Sequence, residues 1–179
     1  MGEAVQGVGQ RCRQRVRDDR LDHRAGSPAQ RRRAQKKSQD NEAIGLSRGG
    51  LSTKIHALVD ALGNPLEFLL TPGQAHDLEG ADAFLPNLEA DALLADKAYD
   101  ADTRVIEPLL AAGKTPVIPS MPSRSLKRAY DRELYKERRL IENFFCRLKQ
   151  FRAIATRYDK RAVNFLAGVY AAACLILLN

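Results

Sequence analysis

Apolar and polar residues follow one another in patterns that change from segment to segment along the chain. After residue 50, short apolar runs bounded by Gly, Pro and Asp predict strands, and longer amphipathic stretches predict helices. The predicted strands are 51–60, 65–71, 92–95 and 115–118, with a Gly63-Asn64 turn between the first two. The predicted helices are 78–88, 103–112, 126–150 and 160–178. A hairpin followed by alternating helices and strands indicates an α/β domain with a mixed sheet and flanking helices.

The first 40 residues have a different composition, without apolar periodicity. Residues 1–37 contain 11 Lys or Arg and 4 acidic residues, so they carry a charge of 11 − 4 = +7. This equals the net charge of the whole chain, and the remainder is therefore neutral. A segment that cannot bury enough apolar surface does not fold alone. We therefore expect a disordered basic arm over residues 1–40 and an ordered domain over residues 41–179.

The rest of the composition excludes several classes of protein. The three cysteines, Cys12, Cys146 and Cys174, are too far apart for a metal-binding motif or a disulfide framework. The N-terminus is rich in Arg and lacks the apolar core of a secretory signal. The most apolar stretch, 163–178, is shorter than the roughly 20 residues that cross a bilayer. These features predict a soluble, cytoplasmic protein that has no membrane partner.

One predicted helix carries the sharpest chemical pattern. Tyr135, Arg138, Glu142 and Lys149 are spaced by 3, 4 and 7 residues, which places them on one helical face. An apolar stripe beside them would seat the helix on a core. A carboxylate between two cations and a phenol is suited to holding a divalent metal beside a phosphate backbone. A solvated face with ordinary ion pairs explains the same spacing.

A second carboxylate, Asp96, follows the apolar run that ends at Ala95, and precedes Glu142 by 46 residues. It would lie at the end of a buried strand, where it can converge with an acid on a following helix. Many strands end in a turn-forming Asp, so this position alone is weak evidence. We interpret the neighbouring Asp100 as a helix N-cap and His76-Asp77 as a loop histidine beside a helix-capping aspartate.

These segments together resemble bacterial insertion-sequence transposases of the DDE type. The helix has the spacing Tyr-x2-Arg-x3-Glu-x6-Lys, and Asp96-Lys97-Ala98-Tyr99-Asp100 is similar to the family's second catalytic segment. Further similarity lies in 45–56 and 71–77, so the resemblance covers residues 41–179. It implies a ribonuclease-H-like sheet.

The resemblance also implies an activity, a cofactor and partners. Members cleave DNA at the ends of their element and then join the freed 3′ hydroxyl to target DNA. Asp96 and Glu142 would be two of three catalytic carboxylates that bind Mg²⁺, for which Mn²⁺ can substitute. Tyr135, Arg138 and Lys149 would bind the DNA backbone. Some members act as homodimers.

The first carboxylate of the family lies on a strand for which no counterpart is visible before Leu51. Codons for the family's isoleucine-aspartate-serine-threonine-isoleucine-valine, when read two bases later, can encode Arg20-Leu21-Asp22-His23-Arg24 of this chain. We therefore interpret residues 1–40 as out-of-frame sequence and expect the sheet to lack its first strand. If the frame is intact, the missing carboxylate would have to be Asp22 or Asp40.

Three hypotheses about function follow from these features. The first is a DDE transposase that works as part of a split or frameshifted product, weakly active or inactive on its own. The second is a non-catalytic remnant that binds DNA. The third is a small basic nucleic-acid-binding protein of another origin, against which the helix pattern and the Asp96 segment both argue.

Overall fold

The computed structural model describes the backbone of residues 5–16 and the complete residues 42–47 and 50–178. The chain falls into two compact units. The first combines the described parts of residues 1–11, 56–69 and 76–147, and the second those of residues 12–55, 70–75 and 148–179. Three strands run through both units, because each of them crosses one of these boundaries.

Seven strands are present in the described part of the chain. They are β1 (Val5–Val16), β2 (Gly45–Ser47), β3 (Gly50–Val59), β4 (Pro65–Pro72), β5 (Ala92–Leu94), β6 (Thr115–Val117) and β7 (Thr156–Arg157). Hydrogen bonds order them as β2-β3-β1-β5-β6, with β4 paired to β3 and β7 to β1. The pairs β1–β5, β5–β6 and β1–β7 are parallel, and β2–β3 is antiparallel. The predicted mixed α/β architecture is confirmed.

Six α-helices connect and cover these strands within the described residues. They are α1 (Leu78–Phe84), α2 (Glu107–Ala111), α3 (Arg132–Lys136), α4 (Arg139–Leu148), α5 (Arg152–Ala155) and α6 (Ala162–Leu177). A 3₁₀ turn, Leu85–Asn87, prolongs α1, and a π-helical turn, Asp102–Ile106, precedes α2. The predicted helices near residues 78–88, 103–112 and 160–178 are thus confirmed. None of the helices in the described ranges is long and apolar enough to span a membrane.

The N-terminal strand is the main correction to the sequence prediction. Residues 5–16 were expected to be disordered, yet their backbone forms β1, with Val5 opposite Ala92 and Gly7 opposite Leu94. We expected the sheet to lack a strand before the hairpin, and β1 occupies that position between β3 and β5. The reason lies in the partner strand: β5 offers backbone donors and acceptors that pair with any extended segment, whatever its side-chain pattern. The rest of the predicted arm, residues 1–4 and 17–40, lies outside the described residues.

The long helix predicted over residues 126–150 is also wrong in part. Regular structure begins only at Arg132, where the Asp131 carboxylate accepts hydrogen bonds from the backbone N–H groups of Glu133 and Leu134. The helix is then interrupted, because Arg138 N–H donates to Tyr135 O, three residues back. Such i→i+3 bonds tighten the backbone, and α4 starts after them at Arg139. The chemical pattern therefore lies on two short helices and the turn between them.

The core of the first unit lies between β5 and the helices α1 and α2. The buried cluster includes Leu58, Leu78, Phe84, Leu93, Tyr99, Val105 and Ile118. His56 is buried beside it, with Nδ1 3.4 Å from the Tyr99 hydroxyl. A Cβ atom on Gly80 would lie 2.5 Å from His56 Nδ1, so only glycine fits at this point of α1.

The start of α1 differs from the predicted arrangement. Asp77 occupies the N-cap position but makes no side-chain capping hydrogen bond. The ring of His76 does so instead, because its Nδ1 accepts a hydrogen bond of 3.2 Å from Leu78 N–H. The prediction of a capping aspartate is therefore wrong, since a neighbouring imidazole nitrogen satisfies the first free N–H group of the helix.

Aromatic rings hold α4 on the hairpin. Phe144 stacks on Phe68 of β4 with 5.8 Å between ring centroids, and Phe145 contacts Phe144 edge to face at 5.7 Å. Ile141, on the same helix, is also buried. The apolar stripe predicted beside the charged face is thus confirmed for α4, and it leaves Glu142 on the partly exposed side of the helix.

The second unit is organised around one buried arginine. Arg157 is fully buried, and Phe165 of α6 places its ring centroid 4.7 Å from the guanidinium carbon. The guanidinium donates to Thr53 Oγ1 at 2.5 Å and to four backbone carbonyls at 2.8–3.3 Å, those of Glu42, Ala43, Asp159 and Lys160. Burial lowers the pKa of Arg157 to about 10, so the side chain remains charged at neutral pH. One side chain therefore joins four segments of this unit.

Candidate functional site

Asp96 stands at the end of β5, as predicted. Its neighbour Ala95 is completely buried, while the Asp96 side chain retains 19% of its exposure. Oδ1 accepts a hydrogen bond of 3.3 Å from Ala98 N–H and thereby caps the 3₁₀ turn Lys97–Tyr99. The turn-forming role considered from the sequence is therefore real.

Arg138 lies between Asp96 and Glu142. Its Nη2 is 2.5 Å from Glu142 Oε1, and its Nη1 is 4.0 Å from Asp96 Oδ2. The arginine side chain is only 12% exposed, whereas that of Glu142 is 44% exposed. Asp96 and Glu142, which are 46 residues apart in the sequence, thus lie within 4.0 Å of one guanidinium, and only Glu142 accepts a hydrogen bond from it.

Tyr135 completes the cluster from α3. Its ring centroid lies 5.5 Å from the Arg138 guanidinium carbon, and Tyr130 contacts the ring edge to face at 5.5 Å. Burial raises the pKa of Tyr135, and the nearby Asp96 raises it further, whereas Arg138 lowers it. With its pKa above the usual value, the phenol is neutral at physiological pH and can donate a hydrogen bond.

Four of the five predicted site residues therefore form one cluster. We call Asp96, Tyr135, Arg138 and Glu142 the carboxylate–arginine cluster. Lys149, the fifth predicted residue, is exposed in the turn that follows α4 and belongs to the second unit. The prediction that Lys149 lies on the same helix is wrong, because α4 ends at Leu148.

The cluster does not complete a site for divalent cations. No group of three potential metal-ligating side chains occurs in the described part of the chain. Strand β1, which pairs with β5, contains no acidic residue. Its last pair with β5 is Gly7 and Leu94, so the same register extended by two residues would place Gly9 opposite Asp96. Asp60 lines a small cavity with Arg138, but its carboxylate accepts from Leu62 N–H and Asn64 N–H. The other acids considered, Asp22 and Asp40, lie outside the described residues.

Asp100 has a role that the sequence did not reveal. It makes no helix N-cap: Ala101 occupies that position before the π-helical turn, without a side-chain capping bond. The carboxylate is instead completely buried and accepts from Met121 N–H at 2.7 Å and from Arg124 Nε at 3.0 Å. Arg128 pairs with it as well. A buried carboxylate needs such partners, and the arginines that supply them are distant in sequence.

Asp102 adds a second carboxylate to this arrangement, which we call the Asp100 network. Arg124 Nη1 donates to Asp102 Oδ2 at 2.7 Å, and Arg128 contacts the other oxygen. The segment between β6 and α3 has little regular structure, so these ion pairs hold it. Because that segment leads into α3, the network fixes the approach of Tyr135 and Arg138 to the turn that bears Asp96. The acids and the arginines of this network are visible in the sequence, but no local spacing pairs Asp100 and Asp102 with arginines more than 20 residues away.

Comparisons with known proteins agree with these features. Residues 16–177 match the family described as "Transposase DDE domain". The chain is 40% identical over 132 residues to "Putative transposase for insertion sequence element IS6501" of Brucella ovis, covering 72% of this chain and 100% of that relative. No solved structure matches the chain. The chain therefore belongs to the DDE transposases of insertion sequences, a family that acts in DNA transposition and has DNA as its partner.

Proposed function

We propose that the chain is a partial catalytic domain for DNA strand cleavage and strand transfer at the ends of an insertion sequence, weakly active or inactive on its own. The observation that carries this proposal is the convergence of Asp96 and Glu142 on Arg138. Two carboxylates from separate elements meet beside a guanidinium and a phenol. The simpler explanation of the helix spacing was a solvated face with ordinary ion pairs. That explanation does not require a carboxylate from a distant strand end to lie beside the helix.

The sheet supports a ribonuclease-H-like interpretation of the domain. An antiparallel part, β3 and β4 joined by a hairpin turn, lies beside β1, and the parallel strands β5 and β6 follow on the other side. Asp96 follows the strand adjacent to β1, and Glu142 lies on a helix that comes after the last parallel strand. This is the order in which the family's second and third carboxylates are expected.

The proposed DNA contacts are electrostatic. Arg138, Tyr135 and Lys149 would bind phosphate oxygens and so position the strand without reading its sequence. Lys149 is exposed and free to reach a backbone, whereas Arg138 would have to exchange a carboxylate for a phosphate. The contact between Arg138 and Glu142 at 2.5 Å makes this exchange the more demanding one.

The described residues do not supply the complete metal site that the family leads us to expect. Members of the family use divalent metal ions, and Mg²⁺ or Mn²⁺ would activate a nucleophile and stabilise the leaving oxygen. Asp96 and Glu142 are suitable oxygen ligands, but the described residues supply no third carboxylate. We propose that this incomplete site limits activity.

A strand-transfer assay tests the function. The substrates are the two ends of the protein's own element and a plasmid target, with Mg²⁺ or Mn²⁺. We expect wild-type protein to bind the DNA and to form a small but measurable amount of joined product, and we expect Glu142→Ala to lose that product. Glu133→Ala is the matched control, because Glu133 is an exposed acid of α3 whose carboxylate pairs with Lys136.

The possible outcomes separate the hypotheses. Joined product in Glu142→Ala at the wild-type level would contradict the assignment of Glu142. Abundant product from the wild-type chain alone would contradict its weak activity while preserving the site. DNA binding without product in any variant would favour the non-catalytic DNA-binding remnant. Lack of DNA binding would contradict every hypothesis in which this chain acts on DNA.

We also propose that residues 1–40 are encoded out of frame with respect to the family, although the family match itself begins at residue 16. The support is the correspondence between Arg20–Arg24 and a shifted family motif, together with the absence of any acid in β1. Translating the gene and its upstream bases in all three frames tests this. We expect another frame to encode an apolar strand that ends in Asp-Ser-Thr. If no frame contains that strand, the proposal is wrong.

A further inference from the structure

Two carboxylates that meet in a partly buried place need a counter-charge. Like charges repel one another, and a divalent cation is one way to offset that repulsion. Among the described residues, the guanidinium of Arg138 lies near both acids, and its side chain is 12% exposed. A planar guanidinium has several donors in fixed directions and can contact two carboxylates at once.

We propose that Arg138 and a divalent cation compete for Asp96 and Glu142, and that in this chain Arg138 holds the pair in place of the metal. The inference rests on the proposed function in treating these two acids as the family's carboxylates. It goes beyond that function by assigning Arg138 as the group that excludes the metal.

The geometry favours exclusion over coexistence. Divalent cations bind carboxylate oxygens at about 2.0–2.6 Å, and Glu142 Oε1 already has Arg138 Nη2 at 2.5 Å. The other guanidinium nitrogen, Nη1, is buried, has no hydrogen-bond partner among the described residues, and lies 4.0 Å from Asp96 Oδ2. A cation between the two carboxylates would therefore lie within a few ångströms of a fixed positive charge.

The arginine is also held from its other side. The Tyr135 ring lies 5.5 Å from the guanidinium carbon, which stabilises the charge through the ring face. Arg138 offsets part of the negative charge that Asp96 and Glu142 present to an incoming cation. Removing the arginine charge should strengthen cation binding, because repulsion between unit charges a few ångströms apart is appreciable at a protein surface.

Mn²⁺ binding, followed by electron paramagnetic resonance of the free ion, tests the competition directly. We expect Arg138→Gln to bind one Mn²⁺ about tenfold or more tightly than wild type, the scale set by one nearby unit charge. The double variant Arg138→Gln/Glu142→Gln should lose that gain. Arg139→Gln is the matched control, because Arg139 is an exposed neighbour that lies 3.6 Å from Glu137.

Two results would overturn the inference. The first is an Arg138→Gln variant that binds Mn²⁺ no more tightly than wild type, and the second is a gain that persists when Glu142 is also replaced. Circular dichroism checks that each variant is folded. If Arg138→Gln does not fold, Arg138→Lys takes its place, since a lysine cannot contact both carboxylates with one planar group. A smaller gain is then expected, and no gain overturns the inference. A negative result here would not contradict the proposed function, because the strand-transfer test of Glu142 measures joined DNA and not Mn²⁺ binding.

Discussion

Arg157→Met is expected to lower the free energy of unfolding by about 3–5 kcal/mol, since it leaves several buried acceptors without a donor. The guanidinium donates hydrogen bonds to Thr53 Oγ1 and to the carbonyls of Glu42 and Ala43. It also donates to two carbonyls that are close to it in sequence. Methionine fills a similar volume but donates nothing. The loss is a large fraction of the roughly 5–15 kcal/mol that stabilises a domain.

Urea unfolding followed by circular dichroism measures this effect. Arg157→Lys should be intermediate, because an ammonium keeps the charge but cannot reach acceptors in several directions. Arg161→Met is the control: Arg161 is exposed and makes no capping side-chain bond at the start of α6. It should change stability by less than about 0.5 kcal/mol. A loss below about 1 kcal/mol for Arg157→Met would show that water or rearranged donors satisfy the same carbonyls.

Asp100→Asn is expected to release the segment between β6 and α3. Asparagine has the same shape, but it removes the negative charge that faces Arg124 and Arg128 and replaces one acceptor by an N–H donor. Breaking a buried ion pair by removing one partner costs several kcal/mol. We expect trypsin to cut after Arg124 and Arg128 at least about tenfold faster, because cleavage follows the population of the opened segment.

Fragments that end at these two arginines, identified by mass spectrometry, report the opening. Asp82→Asn is the matched control, because Asp82 pairs with Arg104 and the two side chains are 49% and 44% exposed. Exposed pairs of this kind contribute about 0–1 kcal/mol, so cleavage after Arg124 should be unchanged. Equal cleavage of wild type and Asp100→Asn would mean that Asp102 alone holds both arginines.

Several features of the site could be predicted because they depend on local spacing. The run that ends at Ala95 predicted a buried strand followed by a carboxylate, and Asp96 is found there. The four-residue interval between Arg138 and Glu142 predicted a contact on one helical face, and their side chains meet at 2.5 Å. The apolar stripe of the same helix predicted which side is buried. Each of these inferences requires only the period of a strand or helix.

Other features depend on partners that are distant along the chain. Asp100 looked like a helix cap because a cap needs only neighbouring residues, whereas its true partners, Arg124 and Arg128, lie more than 20 residues away. The helix break at Glu137-Arg138 has no Gly or Pro to announce it. Strand β1 has no apolar alternation, and its pairing is made by backbone groups that every residue possesses.

The sequence by itself determined the α/β class, the family resemblance and the hairpin, and it singled out Asp96, Arg138 and Glu142, which the structure brings together. These follow from short-range periodicity and from intervals along one helix. Only the tertiary structure decided that Arg138 lies between Asp96 and Glu142, that β1 pairs beside β5 without an acid, and that Arg157 is buried among carbonyls. The reason is physical: burial and ion pairing depend on which distant segments share space, and a one-dimensional pattern specifies neither.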